Sequence, residues 1–182
     1  MAYEIEMKAW VQNPEALKSR LEKRAQGIQP YHKRDTYYLA PVKVDGKRHQ
    51  FRIRYTDDNV YLTLKDKEIK DGMEYNKERE IPLTYPADIE ELIRRTGCTV
   101  RVAKEKKGIA YTMEHLTCEL AEVVGLGWFL EIEKLVEGDS EKEKTSADGE
   151  IRTMFKKLEV PETDIETRYY TDMLLDKKGR QH

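Results

Sequence analysis

Residues 3 to 8 read Tyr-Glu-Ile-Glu-Met-Lys, an alternation of charged and apolar side chains. A β-strand sends successive side chains to opposite faces, so this pattern belongs to a strand and not to a helix. Glu4, Glu6 and Lys8 share one face, while Ile5, Met7 and Ala9 share the other. One such strand is ordinary on a solvated sheet, but here the pattern recurs along the chain. Arg52 and Arg54 flank Ile53, Lys65 follows Leu64, and Glu78 and Glu80 flank Arg79. Lys104 and Lys106 flank Glu105, and Glu131 and Glu133 flank Ile132. Several strands therefore each offer one charged row, with both signs present. If the sheet closes on itself, those rows line its interior.

The 182 residues are enough to bury one proper core, and the expectation is a single domain over 1–182. Lys and Arg number 33 against 35 Asp and Glu, a net charge of -2, so nothing favours a general nucleic-acid binder. Charged residues make up 37% of the chain, against roughly 25% in ordinary domains. Much of that excess must be solvated surface; the period-two placement is what singles out the rows above. No apolar run is long enough to span a bilayer, and the N-terminus enters a strand pattern without signal-peptide architecture. The expectation is a cytoplasmic protein with no membrane partner. Cys98 and Cys118 are isolated thiols, read as reduced and structural. His32, His49, His115 and His182 are scattered, which argues against a His-based zinc site.

Turn and cap residues divide the chain further. A strand over 3–11 is followed by a helix over 14–25, with Asn13 as N-cap and Gly27 beyond its end. A strand over 31–40 stops at Pro41, and Asp45-Gly46 marks a turn. A hairpin over 48–56 and 59–66 and a strand over 74–82 come next. A short amphipathic helix over 86–96 turns Ile89, Leu92 and Ile93 inward. Strands are predicted over 99–106, 109–115 and 117–123, with Lys107-Gly108 as a turn, and Gly125-Leu126-Gly127 precedes a strand over 128–136. Ser140 with Glu143 opens a helix to 158, and a last helix covers 164–176. Eight or nine short strands with turn signals predict an α+β, mostly β chain with an antiparallel sheet.

The ordered series of motifs resembles the CYTH superfamily, the triphosphate tunnel metalloenzymes. Glu4-Ile5-Glu6-Met7-Lys8 is similar to its Glu-x-Glu-x-Lys signature, and Asp35-Thr36-Tyr37-Tyr38 to its second-strand motif. Arg52 and Arg54, Lys65, Glu78 and Glu80, and Lys104 and Lys106 follow in the family's order. Residues 125 to 133, Gly-Leu-Gly-Trp-Phe-Leu-Glu-Ile-Glu, and 170 to 174, Tyr-Thr-Asp-Met-Leu, complete the series. The subgroup resembled is that of the class IV adenylate cyclases. The resemblance implies an eight-stranded antiparallel closed barrel with flanking helices, and it also allows a homodimer. Two positions depart from the family pattern. Ala121 stands where an aspartate is usual, with Glu119 on the same strand face as a substitute, and Lys106 stands where an arginine is usual. That second change replaces a planar fork by a point charge.

The chemistry of a triphosphate explains such a residue set. Its negative charge needs several cations on rigid supports, and Lys8, Arg52, Arg54, Lys65, Lys104 and Lys106 are the substrate-binding candidates. Hard carboxylate oxygens suit Mg²⁺ or Mn²⁺. Glu4, Glu6, Glu131 and Glu133 are the metal candidates, with Glu78, Glu80 and Glu119 as further ones; Glu4, Glu6, Lys8 and Glu133 are the catalytic set. Tyr37, Tyr55, Tyr61 and Tyr111 are read as packing residues, and Tyr169 and Tyr170 as anchors of the last helix. Three functions fit: a metal-dependent adenylate cyclase, a hydrolase of tripolyphosphate or of thiamine or nucleoside triphosphate, and a non-catalytic sensor of polyphosphate or nucleotide. Each takes a triphosphate partner and none takes nucleic acid.

Overall fold

The computed structural model describes residues 2–44, 46–138 and 140–179, with only the backbone described for Ala2. The Asp45 half of the expected Asp45-Gly46 turn, and His182, lie outside the described residues. Nine strands and four α-helices follow in the described chain: β1 (Ala2–Trp10), α1 (Pro14–Glu22), β2 (Gly27–Val44), β3 (Lys47–Tyr55), β4 (Val60–Lys70), β5 (Met73–Pro82) and α2 (Pro86–Arg95). The remainder is β6 (Thr99–Met113), β7 (Leu116–Val123), β8 (Gly127–Glu137), α3 (Glu141–Lys157), β9 (Ile165–Glu166) and α4 (Tyr170–Gly179). The sheet order is β5-β4-β3-β2-β6-β7-β8-β1, and β1 pairs back with β5. Eight antiparallel strands thus close into a barrel, and closure removes the free edges that a sheet otherwise exposes. The two-residue β9 adds to β1 opposite Lys8 and Ala9. Among the described residues no helix is long and apolar enough to cross a membrane.

Local chemistry accounts for several element ends. Asn13 caps α1 by accepting a hydrogen bond from the Ala16 amide at 3.1 Å, and Pro14 occupies the first turn where no amide donor is needed. Ser140 caps α3 by accepting from the Glu143 amide at 3.4 Å. Asp71 and Gly72 join β4 to β5 with φ of 51° and 80°, the left-handed pair that a two-residue hairpin turn requires.

Three departures from the sequence expectation have a clear physical reason. The two strands expected over 99–106 and 109–115 form one, β6, which ends at Met113, and Lys107-Gly108 is not a turn. Gly108 lies opposite Ala121, where an added Cβ would meet the Leu120 carbonyl oxygen at 2.3 Å and the Ala121 Cβ at 2.5 Å. The glycine serves a close approach of two strands, which in sequence looks the same as a break. β2 continues through Pro41 to Val44, because a register shift between Leu39 and Lys43 absorbs the missing donor. The last helix begins only at Tyr170, because Ile165 and Glu166 are drawn into pairing with β1.

The chain divides into two compact units. The first comprises Met1–Tyr31, Asp66–Glu78 and Lys106–Arg168; the second comprises His32–Lys65, Arg79–Glu105 and Tyr169–His182. In the first, the apolar rows of the strands pack against α1 and α3: Ile5, Met7, Met73, Tyr111, Leu130 and Ile132 meet Leu17, Leu21, Ile151 and Phe155. In the second, Tyr38 and Ile53 cluster with Ile93 of α2. The helix-facing side of each strand therefore carries the hydrophobic core. That leaves the charged rows on the opposite, inner face. The buried thiol of Cys118 belongs to the first core, and burial pushes its pKa up to about 12, so it is inert at neutral pH.

Candidate functional site

Register decides which charged side chains meet. In the first unit, β1 lies between β5 and β8, and directly opposed residues of antiparallel strands point to the same side. Glu6 is opposite Glu74 on β5 and Glu133 on β8, and Glu4 is opposite Asn76. Glu4, Glu6 and Glu133 bring one carboxylate oxygen each within 4.8 Å of one another. All three are half-buried. Three carboxylates this close repel, and a divalent cation with hard-oxygen preference is the natural counter-charge. A second observation points the same way. Asn76 is fully buried; its amide nitrogen donates to Glu4 Oε1 at 3.4 Å, and its Oδ1 has no hydrogen-bond partner among the described residues. The donor set and the orphaned amide oxygen fit a divalent cation held by Glu4, Glu6 and Glu133.

Next to the triad, Lys8 donates to Glu74, and Lys67 lies 3.8 Å from the second Glu74 oxygen. Glu74 is buried and shares a hydrogen bond with Glu6. Burial and the nearby Glu6 charge raise its pKa to about 7, although Lys8 and Lys67 pull the other way. One step further along the same face, Lys8 is opposite Glu131, and Glu131 is opposite Glu119. Lys106 Nζ bridges these two carboxylates, at 2.5 Å from Glu119 and 2.7 Å from Glu131. Burial disfavours the Lys106 ammonium, but the two carboxylates outweigh it and hold the pKa well above the ordinary lysine value. The Tyr31 hydroxyl donates to Glu119 at 2.7 Å, and burial raises its pKa. Glu119 and Glu131 therefore sit with Lys106, outside the close triad. The next layer is apolar: Ala121 is opposite Phe129, Phe129 is opposite Trp10, and the two rings lie 4.2 Å apart. Ala121 thus belongs to a packed aromatic layer, and Glu119 lies one step away from it.

The second unit carries its own cluster, centred on Asp35. Arg54 grips Asp35 on both oxygens, Nε to Oδ1 at 2.8 Å and Nη2 to Oδ2 at 3.1 Å. Lys104 lies 3.2 Å and Arg52 3.4 Å from Oδ2. Asp35 is 2% exposed; burial alone would raise its pKa, but the three cations hold the carboxyl well below the usual range. Glu80 approaches Arg52 at 3.8 Å and Arg54 at 3.9 Å, and accepts from Thr63 Oγ1 at 3.3 Å. It therefore belongs with the arginines. Glu78 is half-buried in the first unit, and Lys65 is half-buried on β4 in the second. Lys104 Nζ also lies 5.9 Å from the Tyr37 ring centre and 5.4 Å from that of Tyr170. Tyr111 is core, and Tyr55 donates to Glu90 at 3.2 Å.

Sequence reasoning passed over Asp35 as a site residue and missed Glu74, Asn76, Lys67 and Tyr31. The signal was present. Glu74, Asn76, Glu78 and Glu80 continue one alternating row, and Tyr31, Lys33 and Asp35 form another.

Comparison with known proteins bears on the fold and the family. A curated relative from Methanocaldococcus jannaschii, named "Putative adenylate cyclase MJ0240", is 25% identical over 122 residues, covering 67% of this chain and 69% of its own. The solved PH1819 protein of Pyrococcus horikoshii superposes with a TM-score of 0.80 at 26% identity, over 96% of this chain and 99% of its own. The Hippeastrum protein HpAC1, whose structure is reported with a dominant triphosphatase activity, shares the fold at 18% identity and a TM-score of 0.66, over 98% of this chain and 96% of its own. The model of the CYTH domain matches residues 2–170. Joined to the closed barrel and its inner charged rows, that match is decisive: the chain belongs to the CYTH domain family.

Proposed function

We propose that this chain is a divalent-cation-dependent enzyme acting on the triphosphate of ATP, releasing pyrophosphate and forming cyclic AMP. The observation that carries the reading is the approach of Glu4, Glu6 and Glu133 within 4.8 Å, on a face that also bears Lys8. These three carboxylates would hold Mg²⁺ or Mn²⁺. The cation would neutralise phosphate oxygens and stabilise the leaving group. Lys8, Lys106, Arg52, Arg54, Lys65 and Lys104 would neutralise the remaining phosphate charge from strand positions that cannot drift. In cyclisation the ribose 3′-oxygen bonds to the α-phosphorus, the bond from that phosphorus to the bridging oxygen breaks, and the hydroxyl proton passes to a base. The name of the Methanocaldococcus relative supports this reaction.

Hydrolysis is the second reading, with an inorganic, thiamine or nucleoside triphosphate as substrate. It is favoured by the character of the described clusters, whose carboxylates and cations would suit metal and phosphate and leave the organic end of a substrate unspecified. The activity reported for the Hippeastrum protein is of this kind. One experiment separates the readings: incubation with ATP and, separately, with tripolyphosphate, each with Mg²⁺ or Mn²⁺, and identification of products. Cyclic AMP supports cyclisation, and orthophosphate from tripolyphosphate supports hydrolysis. Binding of either compound without turnover would reduce the protein to a sensor and overturn both.

A further inference from the structure

We infer that Asn76 is a positioning residue of the carboxylate triad, fixing Glu4 with its amide nitrogen and lending its amide oxygen to the shell of a divalent cation. The inference rests on the metal reading proposed above. Asn76 occupies the β5 position directly opposite Glu4, so both side chains point to the same side of the sheet. It is 0% exposed, and its Nδ2 donates to Glu4 Oε1 at 3.4 Å. The carboxylate defines the orientation of the amide, because an oxygen turned toward Glu4 would face another acceptor. Oδ1 is thereby turned away from Glu4, and among the described residues it has no hydrogen-bond partner. A buried acceptor without a partner is destabilising, a penalty that a cation or its hydration water removes.

The chemistry of the position favours asparagine over its neighbours in the row. Glu74, two residues earlier, is opposite Glu6 and already engages Lys8 and Lys67. A further carboxylate at position 76 would add repulsion to Glu4 when no cation is bound. A neutral amide supplies one donor to hold Glu4 and one hard oxygen for the cation, without that repulsion. Partners that orient metal-binding carboxylates typically alter affinity by about 10–100-fold when removed.

The test is calorimetric titration with Mn²⁺ of the wild type, Asn76→Ala and Asn76→Asp, with thermal midpoints measured without metal. Asn76→Ala is expected to weaken Mn²⁺ binding by about 10–100-fold while metal-free tripolyphosphate binding is unchanged. A purely structural role would lower the midpoint and leave the Mn²⁺ affinity alone. Asn76→Asp is expected to lower the metal-free midpoint, and Mn²⁺ should then raise it by more than it raises that of the wild type. Wild-type Mn²⁺ affinity in folded Asn76→Ala overturns the inference. If Asn76→Ala does not fold, Asn76→Asp decides: an Mn²⁺-induced rise no larger than in the wild type overturns it. A wild type that itself gives a flat titration sinks the metal reading together with this one, whereas a binding wild type matched by Asn76→Ala sinks this one alone.

Discussion

Asp35 binds the Arg54 guanidinium through both of its oxygens, at 2.8 Å and 3.1 Å, while Lys104 and Arg52 press on one of them. A single buried carboxylate thus organises three of the cations assigned to phosphate. On the proposed reading a substrate's oxygens would share those cations with Asp35, which holds them in place without a ligand.

Replacing Asp35 with asparagine leaves those three cations without their buried counter-charge. Breaking a buried pair from one side typically costs about 3–5 kcal/mol. Urea denaturation at neutral pH should therefore show Asp35→Asn less stable by an amount of that order. The sign with pH follows from the depressed carboxyl pKa of Asp35. Its contribution is present above the unfolded value of roughly 3.9 and is lost as the pH falls through the lower folded value, so the gap between wild type and variant should close in strong acid.

Arg54→Ala should mainly weaken substrate binding. A charge-assisted hydrogen bond is worth about 1.5–3 kcal/mol, or roughly 10–100-fold in affinity. Titration of the variant with tripolyphosphate should show that loss, and an unchanged affinity would remove Arg54 from the phosphate-binding set.

Glu6→Gln and Glu133→Gln each remove one charge from the triad. Mn²⁺ affinity should fall at least about 10-fold and metal-dependent turnover with it. The metal-free proteins should be no less stable than the wild type, because one like-charge repulsion is gone. Calorimetry and thermal melts of both variants check the two halves of this expectation.

Gly108→Ala should destabilise the protein, because its methyl group would lie 2.3 Å from the Leu120 carbonyl oxygen and 2.5 Å from the Ala121 Cβ. Overpacking of this kind costs about 1–3 kcal/mol, and here the obstacle includes backbone. A chemical denaturation curve showing wild-type stability would mean that β6 and β7 can part without cost.

Glu166 accepts from the Arg168 guanidinium at 2.7 Å, and this bond, with the Arg168 backbone amide and the Trp10 indole at 3.0 Å, holds its pKa down to about 2. The stability it adds is present above the unfolded value of roughly 4.3 and lost as the pH falls from there toward 2. The stability difference between wild type and Glu166→Gln should accordingly be constant from pH 7 to 5 and shrink below that, as measured by denaturation at a series of pH values.

Period-two alternation is legible in the amino-acid sequence alone, because a strand's two faces are fixed by backbone geometry. It places Glu4, Glu6 and Lys8 on one face and Ile5 and Met7 on the other, and β1 carries them so. The order of the motifs likewise points to the closed barrel. Alternation states the face of a residue but not its depth, and depth is what pairs an acid with a base. Only the register between strands puts Glu133 beside Glu6, sets Glu131 against Lys106, and brings Glu74 and Asn76 of β5 level with Glu6 and Glu4. Register is a property of two segments far apart in sequence, fixed by how their apolar faces pack together, and no local pattern in either segment contains it.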